Sequence, residues 1–288
     1  MNVARTPEEL EQVPRAVAIG TFDGVHLGHR RVIEAALAAE LRSTVVTFAP
    51  HPRTILGNRV ELLSSLERRL ELIAQLGVAD TLVVEFTLEL ARLEPEQFAE
   101  SVLRRIGAEV VVAGPSFRFG RGASGDLERL RSLGFDARTV PLVEGVSSSA
   151  LRRLLQAGQV QEAARLLGRA PEVEGTVVLG DQRGGTLGFP TANVAVDADL
   201  LVPAYGIYAG AAAGHRAAVS IGTNPHYGGE ERRVEAFLLD FEGDLYGDRL
   251  VVELWERLRD ERAFGSEEEL IEAIADDVRR ARDATPPA

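Results

Sequence analysis

Two histidines three residues apart lie in the run GTFDGVHLGH, which occupies residues 20–29. The run follows an apolar segment that favours a strand and precedes a segment that favours a helix, and open parallel sheets bind their ligands at such junctions. At the start of a helix His26 and His29 share one face, and the backbone N–H groups of the first turn point to the same space. Gly24 and Gly28 remove side chains where a nucleotide must approach the backbone. This spacing suits a triphosphate.

The chemistry that such a site would support is nucleotidyl transfer. One phosphate can attack the α-phosphorus of ATP directly, so no protein nucleophile is needed, and the protein supplies alignment and stabilises the charge that builds on the phosphoryl oxygens. The alternative is that His26 and His29 simply occupy a turn, as most isolated H-x-x-H spacings do.

A second phosphate-binding pattern lies in the run LGDQRGGTLGFPTANV, residues 179–194. A glycine-rich loop lets backbone N–H groups wrap phosphates, while the hydroxyl of Thr191 and the amide oxygen of Asn193 are hard ligands that suit an octahedral Mg²⁺ keeping several waters. The alternative is a tight hairpin followed by an edge strand that Pro190 interrupts. The glycines expected to bind ATP here are Gly180, Gly184 and Gly188.

The composition limits both the partners and the chemistry. The 288 residues carry a formal net charge of −12, which opposes binding to nucleic acid. All 32 cations are arginine, so a Schiff-base lysine and a Walker-type phosphate lysine are excluded. Cysteine is absent, which excludes a disulfide scaffold and thiol catalysis and fits a reducing interior. No apolar run approaches the roughly 18 residues that a membrane span needs, and we expect a cytoplasmic protein without a membrane partner.

The elements that must position the first pattern alternate between strand and helix. Predicted strands at 16–22, 43–48, 81–86 and 110–113 alternate with predicted helices at 28–41, 66–76 and 95–106. Such alternation implies right-handed crossovers and a parallel sheet.

The second half of the chain has a different pattern. Helical segments at 150–155 and 160–167 end at Gly168, and we place a domain boundary between residues 168 and 169. Beyond it, short β-like runs separated by Gly, Pro, Asp and Asn predict a small antiparallel barrel, closed by a helix at 267–282.

For that terminal helix, Ser266 is the expected N-cap and Glu269 its capping-box partner. The predicted fold class is therefore α/β, with a Rossmann-like domain containing a parallel sheet over residues 1–168. A small antiparallel β-barrel with a terminal helix follows over residues 169–288.

Three further segments resemble sequence motifs of one known family and occur in the same order along the chain. TFAPHPR occupies residues 47–53, GPSFRFGRGASGD occupies 114–126, and VSSSALR occupies 146–152. With the 20–29 run they resemble the F-x-P-H-P, G-x-D-F-x-F-G, S-S-T-x-x-R and H-x-G-H motifs of the bifunctional riboflavin kinase/FAD synthetase family. The 179–194 run is similar to that family's riboflavin kinase signature, and further matches follow at 203–210, 220–228, 234–241 and 243–247.

The resemblance implies two activities. The C-terminal domain would phosphorylate riboflavin to FMN, and the N-terminal nucleotidyltransferase domain would adenylylate FMN to FAD. Riboflavin, FMN and ATP are then the partners, with Mg²⁺ accompanying ATP, and FMN and FAD are substrate and product rather than prosthetic groups. Oligomerisation is possible in principle and nothing in the sequence indicates it.

The resemblance also assigns residues to roles. The expected catalytic residues are His26, His29, Arg152 and Glu235, of which Glu235 is the general base for the ribityl 5′-hydroxyl. The expected nucleotide contacts in the first domain are Gly20, Phe22, Gly24, Gly28, Ser147, Ser148 and Ser149, and the expected flavin contacts are Pro50, His51, Pro52, Phe117 and Phe119. For His51 a turn residue is the alternative, and for Glu235 the alternative is an outward-facing carboxylate on a strand.

The match is not complete, and other functions remain open at this point. Ser116 stands where the family usually has Asp or Asn, and Ala49, Ala150, Gly185 and His226 also depart from its pattern. The rival enzyme is a nucleotidyltransferase for another phosphorylated small molecule, which the P-T-A-N stretch disfavours. The rival from another class is a riboflavin kinase whose first domain is inactive and only binds or senses flavin.

Overall fold

The computed structural model of the protein describes residues 1–180, 189–223 and 232–287. Contacts divide the chain into two compact units, of which the first comprises Met1–Val60 and Ser65–Ser147 and the second comprises Glu61–Ser64 and Ser148–Ala288. The two helices that precede residue 168 thus belong with the second unit by their contacts. A functional boundary between residues 168 and 169 stays a prediction.

The first unit is built on a six-stranded sheet in which every pairing is parallel. Its strands are β1 (Asn2–Ala4), β2 (Arg15–Ile19), β3 (Arg42–Ala49), β4 (Asp80–Glu85), β5 (Ala108–Ala113) and β6 (Asp136–Thr139), in the spatial order β1-β4-β3-β2-β5-β6. The order reverses at β2, which has β3 on one side and β5 on the other. Ligands bind outside the carboxyl ends of the strands at such a reversal.

Helices cover both faces of this sheet. They are α1 (Leu27–Leu37), α2 (Pro52–Ile55), α3 (Leu66–Ala74), α4 (Pro95–Phe98), which continues as a π-helix over Ala99–Arg104, and α5 (Leu127–Ser132). Side chains of β2 alternate between two buried clusters, Val17 and Ile19 on one face and Ala16 and Ala18 on the other. Burial on both faces is typical of a parallel sheet between helices, and the predicted α/β architecture is confirmed.

Several element ends differ from the prediction, and the helix predicted over 28–41 ends at Leu37. The strand predicted to reach Phe22 ends at Ile19, because Phe22 has a φ of 50° and turns its ring into the core. The helix predicted over 95–106 is one α-helical turn followed by the π-helix.

The amino ends of the central strands are held by a buried charge network. Asp80 is fully buried and is paired with both Arg15 and Arg42. Arg15 also donates from Nε to the carbonyl oxygen of Ile106 at 2.8 Å and from Nη1 to the hydroxyl of Thr44 at 3.0 Å. Burial alone would raise the pKa of Asp80, but hydrogen bonds and charge from Arg42 and Arg15 outweigh it and hold that pKa below its usual range.

Asp80→Asn is therefore expected to destabilise the first unit by about 3–5 kcal/mol, since it leaves buried guanidinium charge without its counterion. The lowered pKa means that the stabilisation by Asp80 is complete above its unfolded pKa of about 3.9 and is lost as the pH falls through the lower folded value. Urea unfolding at several pH values measures both effects. Equal stability of variant and wild type at pH 7 would contradict this role.

The second unit contains a closed antiparallel barrel with the strand order β10-β11-β8-β7-β12-β9. Its strands are β7 (Glu172–Val178), β8 (Ala192–Ala195), β9 (Gly206–Ala212), β10 (His215–Thr223), β11 (Arg232–Leu238) and β12 (Arg249–Arg259). Inward side chains such as Val194, Val234 and Ala236 form its core. The predicted barrel is confirmed.

In the described part of the second unit, the barrel is accompanied by the helices α6 (Ser148–Gln156), α7 (Val160–Leu167) and α8 (Glu267–Asp283). Ser266 caps α8 as predicted, accepting a hydrogen bond from the backbone N–H of Glu269 at 3.3 Å. The Glu269 carboxylate returns to the N–H of Gly265, at 2.9 Å, rather than to that of Ser266. Within the described ranges, none of the helices has both the length and the apolar character that crossing a membrane requires.

Candidate active sites

The 20–29 run forms a strained turn at the carboxyl end of β2. Gly24 has a φ of 77°, and the bulky residues Phe22 and Val25 also have positive φ values, 50° and 41°. Such values are rare for large side chains and persist only where the surroundings enforce them. Here the rings and methyl groups of Phe22 and Val25 are buried in the core. The apolar side chains of the turn thus pack in the core, while its backbone and its histidines lie at the carboxyl edge of the sheet.

His26 and His29 are brought together at the start of α1. His26 is the N-cap residue, and its Nδ1 accepts a hydrogen bond from the backbone N–H of His29 at 3.2 Å. The two rings stack with centroids 3.5 Å apart, and His29 also meets the Phe22 ring edge-on at 5.4 Å. A Cβ at Gly28 would lie 3.1 Å from the His26 ring, so glycine at this position leaves the ring its place.

The electrostatics of this pair favour an uncharged His29. Burial, and then the charges of His26 and Arg69, lower the pKa of His29 well below its usual value. At neutral pH its imidazole is thus neutral and carries one N–H donor. A neutral donor beside a helix N-terminus can bind a phosphate oxygen without adding a titrating charge.

Arg69 is a member of this site that sequence analysis did not identify. It lies in α3 with 2% of its surface exposed, and its Nη1 donates to the carbonyl oxygen of Phe48 at 3.1 Å. The signal that would have found it is an arginine in an apolar helical register, one turn before the buried Leu72 and Ile73.

An aromatic cavity of about 360 Å³ lies in the same unit. Phe117 and Phe119 stack at 5.5 Å on one side of it, and its lining also includes Gly20 and Thr21 at the start of the histidine turn. Its other lining residues are Phe48, Pro52, Leu56, Phe86, Leu90, Ala91, Phe98, Arg118, Gly120, Gly122 and Ala123. A flat apolar ring system fits such walls.

The predicted flavin contacts are only partly assembled there. Pro52, Phe117 and Phe119 line the cavity, whereas Pro50 and His51 do not. His51 is the N-cap of α2, where its Nδ1 accepts from the backbone N–H of Arg53 at 3.2 Å. A role for His51 in capping is thus visible, and its role in flavin binding stays a prediction.

The serine run and its arginine fall on both sides of the division between the units. Ser147 ends the first unit, while Ser148, Ser149 and Arg152 lie in α6 of the second. Arg152 donates from Nε to the carbonyl oxygen of Glu61 at 2.6 Å. Phosphate binding by these residues stays a prediction.

The second unit brings Asn193 and Glu235 side by side. In the pairing of β8 with β11 they are direct partners, flanked by the inward-facing pairs Val194–Val234 and Ala192–Ala236. Direct partners on one face have Cβ atoms about 4.5–5.5 Å apart. Glu235 therefore points outward from the barrel, as the alternative of an outward-facing strand carboxylate predicted. It also lies next to Asn193, the predicted metal ligand. Its side chain is 34% exposed and lies 3.9 Å from Arg233.

A cavity of about 930 Å³ is lined by three other predicted residues of this unit, but not by Glu235. Gly180, Thr191 and Asn193 line it together with Phe241 and Tyr246, two aromatic residues that sequence analysis did not single out. A Cβ at Gly180 would lie only 2.2 Å from the Asn193 amide nitrogen, so glycine is needed for this approach. Gly184 and Gly188 lie outside the described residues.

The predicted metal donors are the hydroxyl oxygen of Thr191 and the amide oxygen of Asn193. In the described parts of the chain, no group of three or more His, Cys, Asp or Glu side chains is arranged to hold a metal ion. Thr191 and Asn193 fit Mg²⁺ that takes its remaining ligands from phosphates and water.

Two family models match the chain, one described as FAD synthetase over residues 8–149 and one described as riboflavin kinase over residues 167–285. Curated relatives named bifunctional riboflavin kinase/FMN adenylyltransferase match over nearly the whole length. The protein of Listeria monocytogenes is 34% identical over 96% of this chain and 94% of the relative, and that of Bacillus subtilis is 36% identical over 94% and 92%.

A solved structure from Streptococcus pneumoniae is also similar along its full length. It superposes with a TM-score of 0.87 at 29% identity and covers 98% of this chain and 99% of that chain. It is described as a macrolide-efflux protein, which differs from the names of the curated relatives. The two family-model matches agree with the curated relatives.

Proposed function

The chain belongs to the family of bifunctional riboflavin kinases/FMN adenylyltransferases, and on that premise we propose which residues perform each reaction. The second unit phosphorylates riboflavin with ATP to give FMN and ADP. The first unit transfers the adenylyl group of a second ATP to FMN, giving FAD and diphosphate.

The observation that carries the assignment of the first unit is the continuity of the histidine turn with the aromatic cavity. Gly20 and Thr21 belong to the turn and also line the cavity. A flavin ring stacked among Phe117 and Phe119 can thus send its phosphate toward the N-terminus of α1. That geometry fits a reaction between a flavin phosphate and a nucleotide triphosphate.

Adenylyl transfer needs alignment more than covalent catalysis. A phosphate oxygen of FMN attacks the α-phosphorus of ATP, and diphosphate leaves from the opposite side. The free N–H groups of α1 and the neutral His29 donate to phosphoryl oxygens as charge builds on them. Ser147, the last residue of the first unit, is proposed to hold a phosphate of ATP through its hydroxyl.

Phosphorylation of riboflavin uses the outer face of β8 and β11. Glu235 accepts the proton of the ribityl 5′-hydroxyl, whose oxygen then attacks the γ-phosphorus of ATP. Gly180, Thr191 and Asn193 hold the triphosphate. Phe241 and Tyr246 line the same cavity and contact the apolar rings of the substrates. Thr191 and Asn193 would hold Mg²⁺ here, and the ion would supply charge neutralisation for the phosphates of ATP.

The setting of the protein follows from the same chemistry. Its proposed partners are riboflavin, FMN and ATP, and the net charge of −12 opposes nucleic acid as a partner. The absence of cysteine fits our proposal that it works in the reducing cytoplasm.

The direct test is incubation of the purified chain with riboflavin, ATP and Mg²⁺, followed by chromatographic separation of riboflavin, FMN and FAD over time. We expect FMN to appear first and FAD to follow. FMN without FAD would overturn the role of the first unit, and the absence of both products would overturn both roles.

Gly180→Ala is expected to raise the KM for ATP in FMN formation by about 5- to 150-fold. The new methyl group must displace the Asn193 amide, overpacking of this kind costs about 1–3 kcal/mol, and each 1.4 kcal/mol is tenfold. Steady-state kinetics at varied ATP measure the change, with FAD formation from supplied FMN as the internal control. An unchanged KM for ATP would contradict the proposed role of Asn193 in ATP binding.

A further inference from the structure

Arg69 is linked to the histidine turn through the end of β3. Its Nη1 lies 3.1 Å from the carbonyl oxygen of Phe48 and 3.4 Å from the hydroxyl of Thr47. Thr47 in turn donates its hydroxyl proton to the carbonyl oxygen of Thr21, at 3.0 Å. Displacement of Arg69 would thus be transmitted to the first residues of the turn.

The hydrogen bonding of Arg69 differs from that of a buried arginine that serves only the fold. Arg15, at the opposite end of the sheet, bonds through Nε, Nη1 and Nη2. The Nε of Arg69 is buried and has no acceptor among the residues that the structure describes. Asp23, itself 1% exposed, is the carboxylate whose charge acts on Arg69. The guanidinium of Arg69 is therefore buried although its Nε–H donor is not used by the described part of the fold.

We propose that Arg69 is a positioning residue for adenylyl transfer, a buried cation that sets the 20–29 turn against β3 and keeps a positive charge near the stacked imidazoles. This role rests on the adenylylation proposed for the first unit. In a chain without lysine, an arginine is the side-chain cation available for such a role.

The charge of Arg69 has a measurable consequence at His29. The groups that act on His29 are His26 at the start of the same helix and Arg69 from α3, and Asp23 of the turn acts on Arg69. With burial as the largest cause, these cations lower the pKa of His29. Removing the charge of Arg69 should therefore raise that pKa, while removing only its hydrogen-bond geometry should not.

Arg69→Gln and Arg69→Lys separate these two contributions. We expect Arg69→Gln to lower kcat for FAD formation by about 10²-fold, the usual cost of misplacing a reacting group by about an ångström. Arg69→Lys keeps the charge, and we expect it to recover at least a tenth of the wild-type rate. Arg68→Gln, in the same helix and paired with Glu71, is the matched control with wild-type activity. FMN formation by the second unit monitors the integrity of each variant.

NMR titration of the histidine Cε1–H signals gives the readout that a purely structural role would not change. The chain has five histidines, and a His29→Gln spectrum identifies the signal of His29. We expect the pKa of His29 to be low in wild type and in Arg69→Lys and higher in Arg69→Gln. If Arg69→Gln does not fold, Arg69→Lys decides, because loss of FAD formation in a folded Arg69→Lys protein that keeps the low pKa of His29 would overturn the proposal.

Other outcomes also separate the possibilities. Equal rates and equal His29 titration in Arg69→Gln and Arg69→Lys would reduce Arg69 to a structural residue and overturn the proposal. Wild-type protein that forms no FAD would instead overturn the adenylylation on which the role rests, whatever the titration of His29.

Discussion

Replacement of His29 by alanine is expected to lower the rate of FAD formation from FMN and ATP by about 10²–10³-fold, the usual cost of losing one donor to a developing phosphoryl or oxyanion charge. His29 stacks on His26 at 3.5 Å beside the N-terminus of α1. Its loss removes a neutral donor but leaves the N-cap bond of the helix possible through His26. Product chromatography at saturating ATP measures the change.

The second reaction provides the control for this variant. FMN formation from riboflavin should be unchanged, because His29 lies in the first unit and the kinase residues lie in the second. Parallel loss of both activities in a folded His29→Ala protein would contradict two separate sites. If His29→Ala forms FAD at the wild-type rate, His29 is a turn residue without a catalytic role.

Glu235→Gln is expected to lower kcat for riboflavin phosphorylation by about 10²–10⁴-fold, the usual contribution of a positioned general base. The amide keeps the size of the side chain beside Asn193 but cannot accept the proton of the 5′-hydroxyl. The variant should still form FAD when FMN is supplied. Rapid-quench measurement of FMN formation separates the chemical step from product release.

A matched control exists on the same barrel. Glu256 is a half-buried carboxylate of β12, away from the pairing of β8 with β11. Glu256→Gln should leave riboflavin phosphorylation unchanged. If Glu235→Gln and Glu256→Gln have the same small effect, Glu235 is the outward-facing strand carboxylate of the alternative reading.

The local pattern of the sequence was sufficient for the fold class and for the position of the histidine turn between a strand and a helix. Strand-helix alternation predicted a parallel sheet because both periodicities are set by nearby residues. The histidine turn follows β2, where the strand order reverses. The less accurate predictions concerned ends of elements, as at Phe22, where packing of the ring into the core decides the backbone conformation.

Side-chain contacts between distant segments were beyond the sequence. In the sequence, nothing distinguishes Arg69 from the other charged residues of α3. Only the packing of that helix against the sheet buries its guanidinium. Phe241 and Tyr246 share a cavity wall with Asn193 only because the barrel closes. The predicted flavin contacts illustrate the same limit, because Pro50 and His51 lie next to Pro52 in sequence and yet do not line the cavity.

The sequence by itself determined which candidate functional groups are present, their order along the chain and the two architectures that carry them, since these depend on composition, spacing and short-range periodicity. Tertiary structure alone decided which of these groups meet. The stacking of His26 on His29, the charge of Arg69 near them and the direct pairing of Asn193 with Glu235 depend on register and packing, which are fixed only when whole elements bury their apolar faces together.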